Sequence, residues 1–162
     1  MARINPQHIE QLMPLIDESP FVKLLGIHME EMRDNYCRAT VPVTHDLLNI
    51  LGGVHGGAYA TMMDVGAFWA VYCTLPDGVG YTTLDLNMDP LRAVNSGVLT
   101  IEGSVLKQGG SIAITQAEAR DEAGRPIVHA QSKLFISDRL PSTAAALAQA
   151  GIAQLPPKFL DD

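Results

Sequence analysis

An α+β fold, with an antiparallel β-sheet curled around one long buried helix, is what the sequence predicts. Three observations carry this. The segment AYATMMDVGAFWAVYC at 58–73 is apolar on every face rather than along one stripe, the mark of a central helix. After the breaker LPDGVG, four strand-length segments (81–92, 98–107, 111–120 and 127–137) follow one another across AVNSG, KQGGS and DEAGRP. Such spacings specify consecutive antiparallel strands. In the second of them Leu99, Ile101 and Val105 alternate with Thr100, Glu102 and Ser104, so the sheet has one wet face and one that needs a cover. The helix is the segment suited to be that cover.

The elements follow in chain order. Asn5-Pro6 has the cap-then-proline form of a helix start, and Ile9, Leu12, Met13 and Ile16 recur at helical spacing until Ser19-Pro20, which is expected to stop the run. Segments 26–33 and 36–43 read as a hairpin turning at Asp34-Asn35, with Pro42 placing the second strand at an edge or fraying its end. The stretch THDLLNILGGVHGG is a turn-rich connection, and the central helix begins at its His-Gly-Gly. Beyond 138, a short Ala-rich helix capped by Ser142 precedes a proline-punctuated tail. The chain thus divides into an N-terminal helix (1–19), one main domain (20–137) and a C-terminal extension (138–162). That extension can cover a pocket mouth, extend an oligomer contact or hang in solvent.

The length of 162 residues suits one domain, and 47% hydrophobic with 18% charged residues is ordinary globular composition. A net charge of −7 argues against nucleic acid or an anionic membrane as partner. Cys37 and Cys73 stand 36 positions apart with no CxxC, and the first residues lack the apolar run of a signal peptide, so a reduced, cytoplasmic protein is expected.

Between Gly56 and Cys73 the only charged residue is Asp64. A buried carboxylate is costly without a partner, so it either bonds a nearby hydroxyl or backbone group, faces a wet gap between subunits, or does chemistry. His55-Gly56-Gly57 stands where the helix starts, and free N–H groups there, with the helix dipole behind them, can hold an oxyanion. A tight turn or close packing explains the two glycines equally well. The two features lie about 12 Å apart along one helix at roughly 1.5 Å per residue. A donor and a base must both reach within about 3 Å of the reacting group, so one chain cannot bring both to one carbonyl. Two antiparallel helices about a two-fold axis can. Catalysis here therefore implies a dimer.

The pattern Asn49-x-x-Gly52-x-x-His55-Gly56-Gly57 with Asp64, followed by Thr82-Thr83-Leu84-Asp85-Leu86-Asn87 and Leu91-Arg92, resembles the hotdog-fold acyl-CoA thioesterases of the phenylacetyl-CoA thioesterase type, over roughly residues 20–137. The resemblance implies a hotdog fold, an acyl-CoA substrate, no cofactor and a homodimer, paired again as a dimer of dimers. It implies that the Gly56 N–H points at the thioester oxygen, that Asn49 holds that end of the site, and that Asp64 of the facing subunit is base or nucleophile. Thr83 then orients the water, and His55 shapes the turn rather than shuttling protons. Gly57, Met63, Phe68, Asn87 and Arg92 are the residues expected to contact substrate, with Arg92, Lys107 and Lys133 as candidates for the coenzyme A phosphates. The Asp89-Pro90 segment departs from the family pattern and leaves the acyl-pocket end of that strand open.

Other chemistries lack their residues. There is no GxSxG, no metal-ligand spacing among His8, His28, His45, His55 and His129, and no lysine after the glycines to make a P-loop. A noncatalytic acyl-CoA-binding module and a hotdog hydratase or dehydratase remain as alternatives. The isolated Asp64 favours catalysis over binding alone, and its nine-residue spacing from His55 favours the thioesterase over the hydratase.

Overall fold

A computed structural model describes residues 3–160. Asn5 caps helix α1 (Pro6–Asp17), its side-chain oxygen accepting from the Gln7 N–H at 3.1 Å. Ile9, Leu12 and Ile16 turn inward, and His8 joins them. The run stops before Ser19-Pro20 as expected, and the same pair is also a second start. Ser19 is the N-cap and Pro20 the first residue of α2 (Pro20–Leu25), which Gly26 ends in the left-handed conformation at φ 69°. A capping serine followed by proline suits a helix beginning as well as an ending, and here the chain uses it for both.

The hairpin of β2 (His28–Arg33) and β3 (Tyr36–Pro42) turns at Asn35, which adopts φ 60°. The connection carries a short 3-10 turn at His45–Leu47 and a bridge between Leu48 and Val54. Helix α3 (Gly56–Tyr72) follows, then β4 (Gly80–Pro90), β5 (Val98–Gln108), β6 (Ile112–Arg120) and β7 (Pro126–Ser137). These strands form one six-stranded antiparallel sheet in the order β2-β3-β5-β6-β7-β4. Its edges are β2 and β4. The edge position suggested by Pro42 is therefore not found: β3 is internal, and its proline sits opposite Val98 at the strand's last pair, where a missing N–H ends the ladder without interrupting it.

Helix α3 lies against β5 and β6 and touches β3, β4 and β7. Met62, Met63, Ala67, Ala70 and Val71 are sealed from solvent together with Leu99, Ile101, Val128 and Leu134 of the sheet. The contact is closest at two glycines. A Cβ on Gly103 of β5 would fall deep inside the Gly66 carbonyl of α3, and one on Gly66 would stand 2.9 Å from Ile101 Cγ2 and 3.2 Å from Ala117 Cβ. Cys37 adds an Sγ bond to the Gly66 oxygen at 3.1 Å. Both cysteines are free and buried, and burial pushes each thiol up to about 12. With this match to a helix wrapped by an antiparallel sheet, the fold is the hotdog fold.

The C-terminal segment is docked, not loose. After α4 (Thr143–Gln149), whose Ser142 cap accepts from the Ala145 N–H, the chain returns to pair β8 (Phe159–Leu160) with β1 (Arg3–Ile4). Asn5 bonds the carbonyls of Pro157 at 2.8 Å and Lys158 at 2.9 Å, and the buried His8 bridges Pro156 O (2.7 Å) and Tyr72 Oη (2.6 Å). Lys158 Nζ donates to Tyr72 O at 2.6 Å and Leu75 O at 2.7 Å, so its ammonium satisfies carbonyls at the C-terminal end of α3 where the helix dipole is negative. Burial nevertheless draws its pKa down to about 8. Among the described residues no helix is long and apolar enough to cross a membrane.

Two outcomes follow from this packing. Gly103→Ala, whose methyl has no room against the α3 backbone, destabilises by about 3 kcal/mol or more in urea unfolding, whereas Gly110→Ala, with open space around it, shifts the midpoint little. The second concerns pH. Folded Lys158 loses its proton near pH 8 and the unfolded lysine near 10.5, so between these values the unfolded chain binds more protons and the Lys158 contribution to stability rises with pH. The stability of the wild type relative to Lys158→Met should therefore rise from pH 8 to 10; a flat difference would contradict the buried ammonium.

Candidate active site

The site starts from the local rules at the head of α3. His55 is extended at φ −66° and ψ 139° and acts as N-cap, its Nδ1 accepting from the Gly57 N–H at 2.9 Å. This satisfies one of the free amides of the first turn. The preceding amide, Gly56 N–H, finds no acceptor among the described residues, and a Cβ at Gly56 would meet nothing within 4 Å. One open, dipole-assisted donor is therefore presented on an unobstructed surface. Gly57 is not a second donor, because His55 already holds its N–H.

Asn49 shapes the loop beneath. Its Oδ1 accepts from the Leu51 N–H at 2.8 Å, its backbone bonds Gly53 and Gly52, and Gly52 turns at φ 82°. The side-chain amide nitrogen of Asn49 remains without an acceptor among the described residues. It is the second donor available at this end.

Asp64 stands two turns further along α3. Nearly every other face of the helix is buried, and the half-open positions Thr61, Asp64 and Phe68, spaced three and four apart, form one stripe. Asp64 Oδ1 accepts from Thr83 Oγ1 at 2.8 Å, and the carboxylate makes no ion pair among the described residues. Thr83 owes its aim to a bulge in β4: the register with β7 slips between Thr83 and Asp85, leaving Leu84 unpaired. Bulges re-aim side chains in this way beside functional sites. Of the alternatives open for Asp64, a hydroxyl partner is present, and it comes from the same chain. Phe68, one turn beyond, stacks on Tyr81 with ring centroids 4.2 Å apart.

Two expected substrate contacts are corrected, and one candidate cation for the coenzyme A phosphates is already ion-paired. Met63 is sealed in the core and touches no open surface. Asn87 pairs with Gln131 on the solvent face, opposite to the side on which Leu86 and Met88 lie over Ser132 and Ala130, because strand neighbours alternate faces. Lys133 is held by Asp85 at 2.6 Å, an ion pair that lowers the Asp85 pKa, and so is already engaged. Arg92 is exposed just past β4 and makes no ion pair among the described residues.

The sequence reading missed a groove beside the candidate site. Helix α2 faces the first two turns of α3 across a groove of about 300 Å³, lined by Phe21, Leu24, Leu25, Leu47 and Ala58, with His55, Gly57, Thr61 and Asp46 at its polar side. The signal was the Ser19-Pro20 cap, which marks a helix start followed by four apolar residues in FVKLL.

Comparisons with known proteins agree with this architecture. Residues 51–128, from the loop before α3 into β7, match the model of the thioesterase superfamily. A Haemophilus influenzae protein named as a putative esterase is 30% identical over 118 residues, covering 72% of this chain and 84% of that protein. A thioesterase structure from the same species superposes with a TM-score of 0.74 at 27% identity over 88% of this chain and 99% of that one. A hypothetical thioesterase of Streptococcus pneumoniae, solved with coenzyme A, gives a TM-score of 0.61 at 29% identity, covering 68% and 85% of the two chains. The chain belongs to the thioesterase superfamily, in its hotdog-fold form.

His55→Ala removes the α3 cap and should cost about 1 kcal/mol of stability in urea unfolding, which His55→Asn restores, since asparagine is a strong N-cap. Equal stability of wild type and His55→Ala would show that the cap does not hold the helix start.

Proposed function

We propose that the protein hydrolyses acyl-CoA thioesters in the cytoplasm as a homodimer, paired again as a dimer of dimers, with each active site built from two protomers. The observation that carries this reading is the placement, on one continuous helix, of a free Gly56 N–H and an Asp64 carboxylate that has no ion pair among the described residues and is held only by the Thr83 hydroxyl. Eight residues along that helix separate them by about 12 Å, too far for one carbonyl. Two features support a partner on this side of the molecule. The β4 edge, which carries Thr83, is unpaired within the chain, and Leu84 on it is 56% exposed. Ile50 and Leu51, in the loop before α3, are almost wholly exposed apolar side chains, which lone domains rarely present together.

In this arrangement the thioester carbonyl oxygen lies at the Gly56 N–H of one protomer, with the Asn49 amide alongside. The partner subunit's Asp64 faces the carbonyl carbon. Acting as base, its carboxylate takes a proton from water while the water oxygen bonds the carbon; acting as nucleophile, it bonds the carbon itself and water cleaves the anhydride afterwards. In either case negative charge gathers on the carbonyl oxygen, where the helix N-terminus stabilises it, and the coenzyme A thiolate leaves. The Thr83 hydroxyl donates to the carboxylate and fixes its orientation. His55 holds the turn that aims the Gly56 amide.

Thiol release from a panel of short, long and aromatic acyl-CoAs tests this. Asp64→Asn, nearly isosteric, should lower kcat by about a thousandfold with the assembly intact. Gly56→Pro removes only the N–H: proline suits a first helical position, and His55 before it is already extended. It should cost about a hundredfold. Turnover unchanged by Asp64→Asn would remove the carboxylate from the mechanism.

A further inference from the structure

The groove between α2 and the head of α3 is assigned no task by the reaction chemistry. Its exposed side chains are unusual for a free surface: Phe21 is 60% and Leu24 75% exposed, side by side on a helix of six residues. The opposite wall is Ala58 of α3, two residues beyond the Gly56 amide, and the floor is closed by Leu25 and Leu47. The one carboxylate on the lining, Asp46, lies with His55 on the polar side, so no cation invites a charged ligand inside. A larger cavity of about 580 Å³ sits at the other end of α3, lined by Asp34, Asp77 and the buried Cys73. Neither Asp64 nor any residue at the head of α3 lines it, so it is remote from the carbonyl end of the substrate.

We propose that the α2–α3 groove houses the acyl group of the substrate, an uncharged apolar chain or aromatic ring system, with its carbonyl at the Gly56 N–H. This rests on the thioesterase reading and specifies its substrate class. A cavity of 150 Å³ lined by apolar side chains accommodates one benzene ring, so a groove of about 300 Å³ suits an acyl group of roughly six to twelve carbons. An acetyl group leaves it unfilled. A long fatty chain overruns it. Helix α2 acts as the specificity wall because it stands opposite α3 without contributing to the carbonyl end.

The experiment is a chain-length series of acyl-CoAs from acetyl to palmitoyl, with phenylacetyl-CoA, assayed for kcat/KM. Each methylene that enters the groove should raise kcat/KM about fourfold, to an optimum in the six-to-twelve-carbon range. Ala58→Phe, which fills the groove, should move the optimum to shorter chains and lower the octanoyl-to-acetyl ratio at least tenfold. Leu24→Asp, at an exposed position that the fold tolerates, should lower the same ratio by placing a charge in the groove. Ile152→Glu, an exposed apolar residue of the C-terminal segment, should leave the ratio alone. An optimum that neither groove variant moves overturns the assignment. So does a change in oligomer mass on Leu24→Asp by light scattering, which would make the groove a contact between copies.

If the wild type hydrolyses no acyl-CoA, the thioesterase reading fails, and calorimetry then decides on the groove alone. Octanoyl-CoA binding more tightly than coenzyme A, with the advantage lost in Ala58→Phe, supports the groove. Equal binding of the two overturns it.

Discussion

The backbone contact between Gly66 of α3 and Gly103 of β5 sets the depth at which the helix sits in its sheet. Any side chain at either position would lift α3 away from β5 and β6. With both absent, the helix enters far enough to seal Met62, Met63, Ala67, Ala70 and Val71. Along the middle of the helix the polar side chains left half-open, Thr61 and Asp64, lie on one stripe with Phe68. The close packing on one side of the helix thus determines which side is left for chemistry. It also brings Asp64 to β4, where the bulge at Leu84 turns the Thr83 hydroxyl toward it.

The two ends of α3 are finished in opposite ways, in keeping with the helix dipole. At the positive end His55 caps the Gly57 amide and leaves the preceding Gly56 amide open, so the field of the helix points at an unfilled position. At the negative end the Lys158 ammonium occupies the carbonyls of Tyr72 and Leu75, and Asn5, His8 and the β1–β8 pair tie that lysine's segment to the start of the chain. One end is available to an anion and the other is closed by a cation of the protein itself. The C-terminal segment therefore serves the fold at the end of the helix away from Gly56.

Much of this was legible from residue order. The all-apolar run in 58–73 and the evenly spaced strands specified a sheet around a helix, because both patterns reflect burial that no other arrangement satisfies. The Asn49 and His55-Gly56-Gly57 pattern marked the candidate site because those side chains bond within two residues of their own positions, whereas the Asp64 partner, Thr83, comes from β4. What escaped depended on distant partners or on which face a strand turns. Met63 looks like a pocket residue beside Asp64, but one residue of helix rotation carries it into the core. Asn87 lies on the right strand, yet the bulge two residues after Thr82 and the alternation of faces put it outside. Lys158 and His8 carry no local signal at all; their roles come from a tail that returns across the whole chain. Helix α2 was hidden because Ser19-Pro20 reads as punctuation, and only the structure shows that the mark opens a helix as it closes another.

The proposal that the site is shared between protomers is best tested by complementation. On that proposal Asp64→Asn and Gly56→Pro chains should each be impaired as homodimers, while a mixed dimer would hold one site with an intact Gly56 from the first chain and an intact Asp64 from the second. Random mixing makes half the dimers mixed, each with one of two sites restored, so thiol release should return to about a quarter of the wild-type rate. A mixture no more active than the average of its two parents would contradict a site shared between protomers.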